Sequence, residues 1–142
     1  TATDLLADTK LAPELSNEAH YYRAKAYLDA GKTDGAMEDL KILAKDTRNV
    51  YGAEAKYKVA QIYFDGGQTD KAEQEVLNYI EVSTPHTYWL ARSFVLLADV
   101  YMKSGRNLDA KQYLLSLKQN YQADDDIAGM IESRLEKLKT EN

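Results

Sequence analysis

One spacing runs three times through this chain. Ala24, Tyr27, Gly31 and Ala36 recur as Ala60, Tyr63, Gly67 and Ala72, and again as Ala98, Tyr101, Gly105 and Ala110. The internal steps are three, four and five residues each time, and the copies start 36 and 38 residues apart. A period of this length marks a stack of helical hairpins, in which each unit buries its apolar face only against its neighbours. The expected fold is all-α: a right-handed superhelical stack of antiparallel helix hairpins, about three repeats with a C-terminal capping helix.

Each copy reads as two helices around a tight turn. Ser16 is placed as the N-cap of a first helix reaching about Ala30, with Ala19, Ala26, Tyr27 and Ala30 as its apolar stripe. Gly31 stops it by accepting a left-handed backbone. Thr33 is expected to cap the second helix, which carries Ala36, Leu40 and Leu43. In the second copy Asn49 caps, Gly66 and Gly67 break, and Thr69 caps a helix with Ala72, Val76 and Tyr79. In the third, the first helix follows Pro85, beginning near Thr87, and Gly105 stops it. Asn107 then caps a helix with Ala110, Leu114 and Leu117. The repeats are expected at 17–48, 49–84 and 87–121. Asp124, Asp125 and Asp126 precede Ile127, Met130, Ile131, Leu135 and Leu138, an amphipathic stripe that predicts a capping helix over 124–139. Residues 1–15 read as the remnant of a preceding repeat, so the whole is expected to be one domain cut from a longer array.

Composition narrows the function. The net charge of −5 argues against a nucleic-acid surface, which needs clustered Lys and Arg. No apolar run approaches the length of a membrane span. Without cysteine there is no disulfide, thiol nucleophile or Cys-ligated metal. Eleven tyrosines against two phenylalanines and one tryptophan supply apolar area with a polar tip, which suits half-buried positions and interfaces.

The Ala/Tyr/Gly/Ala frame resembles the tetratricopeptide repeat family over about residues 17–121, and the resemblance implies an α-solenoid whose first helices line a concave face. Four residues before the first Ala, where the family carries a large apolar side chain, the chain has His20, Lys56 and Phe94. One residue before it stand Arg23, Val59 and Leu97. The third copy therefore fits best and the first least, with the Arg23 stem expected along the surface and its charge in water. Residues 76–105, VLNYIEVSTPHTYWLARSFVLLADVYMKSG, are also similar in style to repeats of bacterial envelope lipoproteins of the outer-membrane assembly and Tol–Pal coordination type. That likeness implies a periplasmic or envelope-associated protein rather than a cytoplasmic one.

On the family's geometry, the concave face would present Glu18, Glu54 and Arg92; Tyr21, Tyr57 and Val95; Lys25, Gln61 and Asp99; and Leu28, Phe64 and Met102. The last row is apolar and flanked by Tyr and charge, which suits a groove for a peptide or helix. The competing reading is a seam between repeats. The clamp with which co-chaperones of this family grip a C-terminal carboxylate is absent, because its positions are Tyr21, Lys25, Lys58, Arg92 and Leu96.

His20 and His86 sit 66 residues apart in no metal or catalytic motif, and each reads as a half-buried structural residue. Only a pocket joining one of them to an acid would point to catalysis. The three aspartates read as cap and dipole complement to the following helix rather than as a cation site. Trp89 is expected to plug the joint between the second and third repeats. The chain is thus expected to be a non-catalytic scaffold without cofactor or metal. Its partner would be a protein or peptide, with no nucleic acid and no membrane insertion. The alternative is a structural spacer or self-association module, through which homo-oligomers would form.

Overall fold

The computed structural model describes residues 12–82 and 84–140. Among them the chain forms seven helices: α1 (Ala12–Asp29), α2 (Thr33–Leu43), α3 (Val50–Asp65), α4 (Thr69–Glu81), α5 (Thr87–Lys103), α6 (Asn107–Asn120) and α7 (Ile127–Thr140). Helices α1–α2, α3–α4 and α5–α6 are the three hairpins. The first helices α1, α3 and α5 pack side by side, whereas α2 and α4 make no direct approach. This places the first helices on the inner side of the stack. α7 lies against α5 and α6, where the first helix of another hairpin would sit. The fold is therefore an all-α solenoid. The expected remnant at 1–15 falls mainly outside the described residues, its last few belonging to α1.

The three turns share one geometry. Gly31, Gly67 and Gly105 have φ of 75°, 80° and 78°, the only positive values among the described residues. In each turn the glycine N–H donates to the carbonyl three residues back (Leu28, Phe64 and Met102, at 3.1, 3.1 and 3.2 Å). The next residue donates to the repeat's tyrosine carbonyl, at 2.7, 2.8 and 2.7 Å. This is the Schellman arrangement, which satisfies two carbonyls left open at a helix end. The second helix follows at once. Its N-cap positions are Lys32, Gln68 and Arg106, none with a side-chain cap. The expected caps Thr33, Thr69 and Asn107 are instead the first helical residues, because the turn leaves no extended residue before them. Asn49 does cap, accepting from the Gly52 N–H at 2.8 Å. Ser16 lies inside α1, since that helix begins at Ala12.

Two apolar clusters meet across α3. Ala55 and Val59 join Ala24, Ala36, Leu40 and Leu43 of the first hairpin. Tyr57 and Ala60 join the third hairpin and α7, including Leu97, Leu114, Ile127 and Ile131. α3 is thus buried nearly all round, as a central helix must be. Full burial of each large aliphatic side chain contributes about 1.5–3 kcal/mol. The stripe expected on α1 is out of phase: Ala19, Ala26 and Ala30 are exposed, and Ala24 is the buried alanine. α7 buries Ile127, Ile131 and Leu138 while Glu132, Ser133, Glu136 and Lys137 face water.

Candidate functional site

The four expected rows occupy quite different environments. Glu18 and Lys25 are exposed, and the Lys25 ammonium lies 5.3 Å from the Tyr21 ring. Tyr21 is half-buried and donates to both oxygens of Glu54 at 3.2 and 3.3 Å; Glu54 also takes Lys58 at 2.6 Å. Burial, and then Glu54, push the Tyr21 phenol above its ordinary pKa.

Tyr57 and Val95 are only 7% and 3% exposed. They belong to the core, which corrects the expectation that the concave face presents Tyr57 and Val95. The cause is the close packing of α3 on α5, which turns this row toward the neighbouring helix. Around it lies a fixed network. The Tyr57 hydroxyl donates to Gln61 at 2.9 Å and accepts from Arg92 at 3.0 Å, while the guanidinium stacks 4.8 Å from the Tyr57 ring and 5.8 Å from Trp89. Burial raises the Tyr57 pKa and Arg92 opposes it. Trp89 bridges α3 and α5, its ring 5.7 Å from Tyr57.

Leu28, Phe64 and Met102 are all half-buried, but they do not form one stripe. Leu28 packs with the first cluster, whereas Phe64 and Met102 pack with the second. Phe64 and Met102 share a cleft of about 520 Å³ with Asp99, Lys103, Ser133, Arg134 and Lys137. The Arg134 guanidinium forks onto Asp99 at 2.8 and 2.9 Å, and Lys103 lies 5.6 Å from the Phe64 ring. Of the expected residues, then, only Phe64, Asp99 and Met102 meet in a concave site. Lys103, Ser133, Arg134 and Lys137 were not anticipated. Three of them come from α7, whose position on α5 no local pattern reveals.

His20 does touch an acid. Its Nδ1–H donates to Asp39 at 2.7 Å, but Asp39 is 1% exposed and Arg23 already holds both its oxygens, at 2.6 and 2.8 Å. Hydrogen bonding from Arg23, with a further contribution from His20, outweighs burial and holds the carboxyl below its usual range. The triad ties α1 to α2. His86 Nε2 donates to the Arg48 carbonyl at 3.0 Å, tying two loops together. Asp125 accepts from the Ile127 N–H at 2.9 Å and Asp126 from the Tyr88 hydroxyl at 2.9 Å, so these acids fasten the start of α7. No group of three or more metal-ligating side chains occurs among the described residues, and no described helix is long and apolar enough to cross a membrane.

The tetratricopeptide repeat family model matches residues 18–46, the first hairpin. With two further hairpins of the same turn geometry behind it, that match supports assigning the chain to the tetratricopeptide repeat family. Repeats of this family generally mediate protein–protein interaction and are typically non-catalytic. No curated protein and no solved structure matches the chain, so the likeness to envelope lipoproteins gains no support.

Proposed function

We propose that the chain is a non-catalytic interaction module that holds a segment of another protein in the inner cleft between α3, α5 and α7. The observation behind this is the join of two half-buried apolar side chains, Phe64 and Met102, with a polar rim from two helices. An apolar centre within a charged rim is the usual anatomy of a binding surface. The contact is centred at the C-terminal end of the inner face, because Tyr57 and Val95 are committed to packing.

A photo-crosslinking residue at Ser133, on the cleft rim, tests the proposal. The expected result is an adduct with one partner from native lysate, weakened when Met102 is changed to Asp. The same probe at Gln119, exposed on α6, should give none. Equal labelling at both positions, or an adduct indifferent to Met102→Asp, would move the interaction elsewhere.

A further inference from the structure

A second cavity lies on the opposite side of the stack. α2 and α4 both pack on α3 without meeting each other, which leaves a groove of about 680 Å³ between them. Lys41 of α2, Lys45 and Arg48 of the following loop and Lys56 of α3 line it, against the two acids Asp46 and Glu75. The lining, with four cations and two acids, therefore carries a net +2 in a chain of net −5. Net positive charge in an acidic chain draws an anion to this groove, as it also does to the inner cleft, where Lys103, Arg134 and Lys137 outnumber Asp99.

The charges are held in place and incompletely matched. Lys56 is 9% exposed, and its ammonium bonds Glu75 at 2.9 Å and Asn78 at 2.7 Å. An ammonium has three donors, so one N–H at the groove floor has no protein acceptor among the described residues. Lys41 lies 5.7 Å from the Tyr63 ring instead of beside an acid, and Lys45 has no carboxylate in ion-pair range among the described residues. Arg48 meets only the exposed Asp46, at 3.3 Å. The loop bearing Arg48 is pinned, since the Thr47 and Arg48 carbonyls accept from Thr84 and His86 at 2.7 and 3.0 Å. Lysines near the end of α2 also complement its dipole, but that role does not call for a buried ammonium and an arginine around the same cavity. Ala44, Val59 and Val82 add apolar lining.

We infer that this outer groove is a second binding site, for an acidic peptide segment that places an apolar residue against Ala44 and Val82 and carboxylates at Lys45, Arg48 and Lys56. It does not depend on the inner cleft.

Fluorescence anisotropy with the full chain and a labelled glutamate–leucine peptide tests it. The peptide should bind in low salt and weaken about tenfold in high salt, as screening of exposed charges requires. Its glutamine–leucine counterpart should not bind. Lys45→Glu with Arg48→Glu should abolish binding and leave the thermal melt unchanged, since both side chains are exposed. Lys103→Glu with Lys137→Glu, in the inner cleft, should leave it intact. Failure of the glutamate peptide to bind, or loss of binding through the inner-cleft variant alone, would overturn the assignment. So would complete displacement by inorganic phosphate, which indicates a simple anion hole, or preference for single-stranded RNA over the peptide.

Discussion

The first two hairpins and the third solve one packing problem with different chemistry. Residues four before and fifteen after the first repeat alanine meet where the two helices of a hairpin cross. In the first hairpin they are His20 and Asp39, bonded at 2.7 Å with Arg23 added; in the second, Lys56 and Glu75 at 2.9 Å. In the third they are Phe94 and Tyr113, whose ring centroids lie 6.2 Å apart. The backbone geometry survives the exchange, so the repeat fixes a place for mutual contact and leaves its nature open. A buried ion pair costs desolvation that an aromatic pair avoids, and removing one ion leaves its partner stranded. The polar hairpins gain dependence between partners rather than added stability.

The joints between hairpins differ as well, and here the largest mutational effect is expected. At the joint of the first two hairpins, a Cβ added to Gly52 would stand 1.8 Å from the Asp46 carbonyl oxygen and 2.6 Å from that of Leu43. The corresponding residue of the third hairpin is Leu90, a full side chain. Gly52→Ala must push two backbones apart and should cost about 3 kcal/mol. In α7 a Cβ on Gly129 meets nothing within 4 Å, so Gly129→Ala should instead stabilise by about 0.5–1 kcal/mol. Urea unfolding of both variants checks the contrast; equal effects would show that the first joint is not a backbone-to-backbone contact.

A double-mutant cycle probes the crossing pairs next. Lys56→Met strands Glu75 and should cost about 1–3 kcal/mol, whereas Lys56→Met with Glu75→Leu should return close to wild type. The third hairpin should show no such rescue. Phe94→Ala loses roughly 2–3 kcal/mol of packing at a half-buried site, and Tyr113→Ala added to it deepens the loss. Restored stability in the aromatic double variant, or none in the Lys56/Glu75 one, would erase the distinction between the hairpins.

The turns of this fold were legible because a glycine at positive φ and a tyrosine carbonyl four residues before it are local chemistry. Asn49 was legible as a cap for the same reason, whereas Thr33, Thr69 and Asn107 were not, since the Schellman turn hands the chain directly to the next helix. Gly52 gave no signal: within a helix it looks merely weak, and its need for closeness lies in a loop that α3 approaches. His20, Arg23 and Lys56 were visible as departures from the apolar pattern, but their partners Asp39 and Glu75 appear only once the hairpin closes. In the inner cleft, Phe64 and Met102 follow from the repeat, while Arg134 and Lys137 depend on where α7 docks.

The smallest effect expected concerns two tyrosines that burial alone does not distinguish. Tyr57 is in the core with its hydroxyl bonded to both Gln61 and Arg92. Tyr79, 1% exposed, has a hydroxyl with no hydrogen-bond partner among the described residues. Burial raises its pKa, with Thr84 pulling the other way, yet the Thr84 hydroxyl donates to the Thr47 carbonyl. The matching positions in the other hairpins are Leu43 and Leu117, which need no partner. Tyr57→Phe should therefore cost about 1 kcal/mol, the ordinary worth of a satisfied hydrogen bond. Tyr79→Phe removes an unsatisfied group without opening a cavity and should be neutral or stabilising by up to about 1 kcal/mol. Urea midpoints of the two variants, measured side by side, give the sign. A loss at Tyr79 matching that at Tyr57 would mean its hydroxyl is bonded in solution through a buried water, making the second hairpin polar at this joint as well as at its crossing pair.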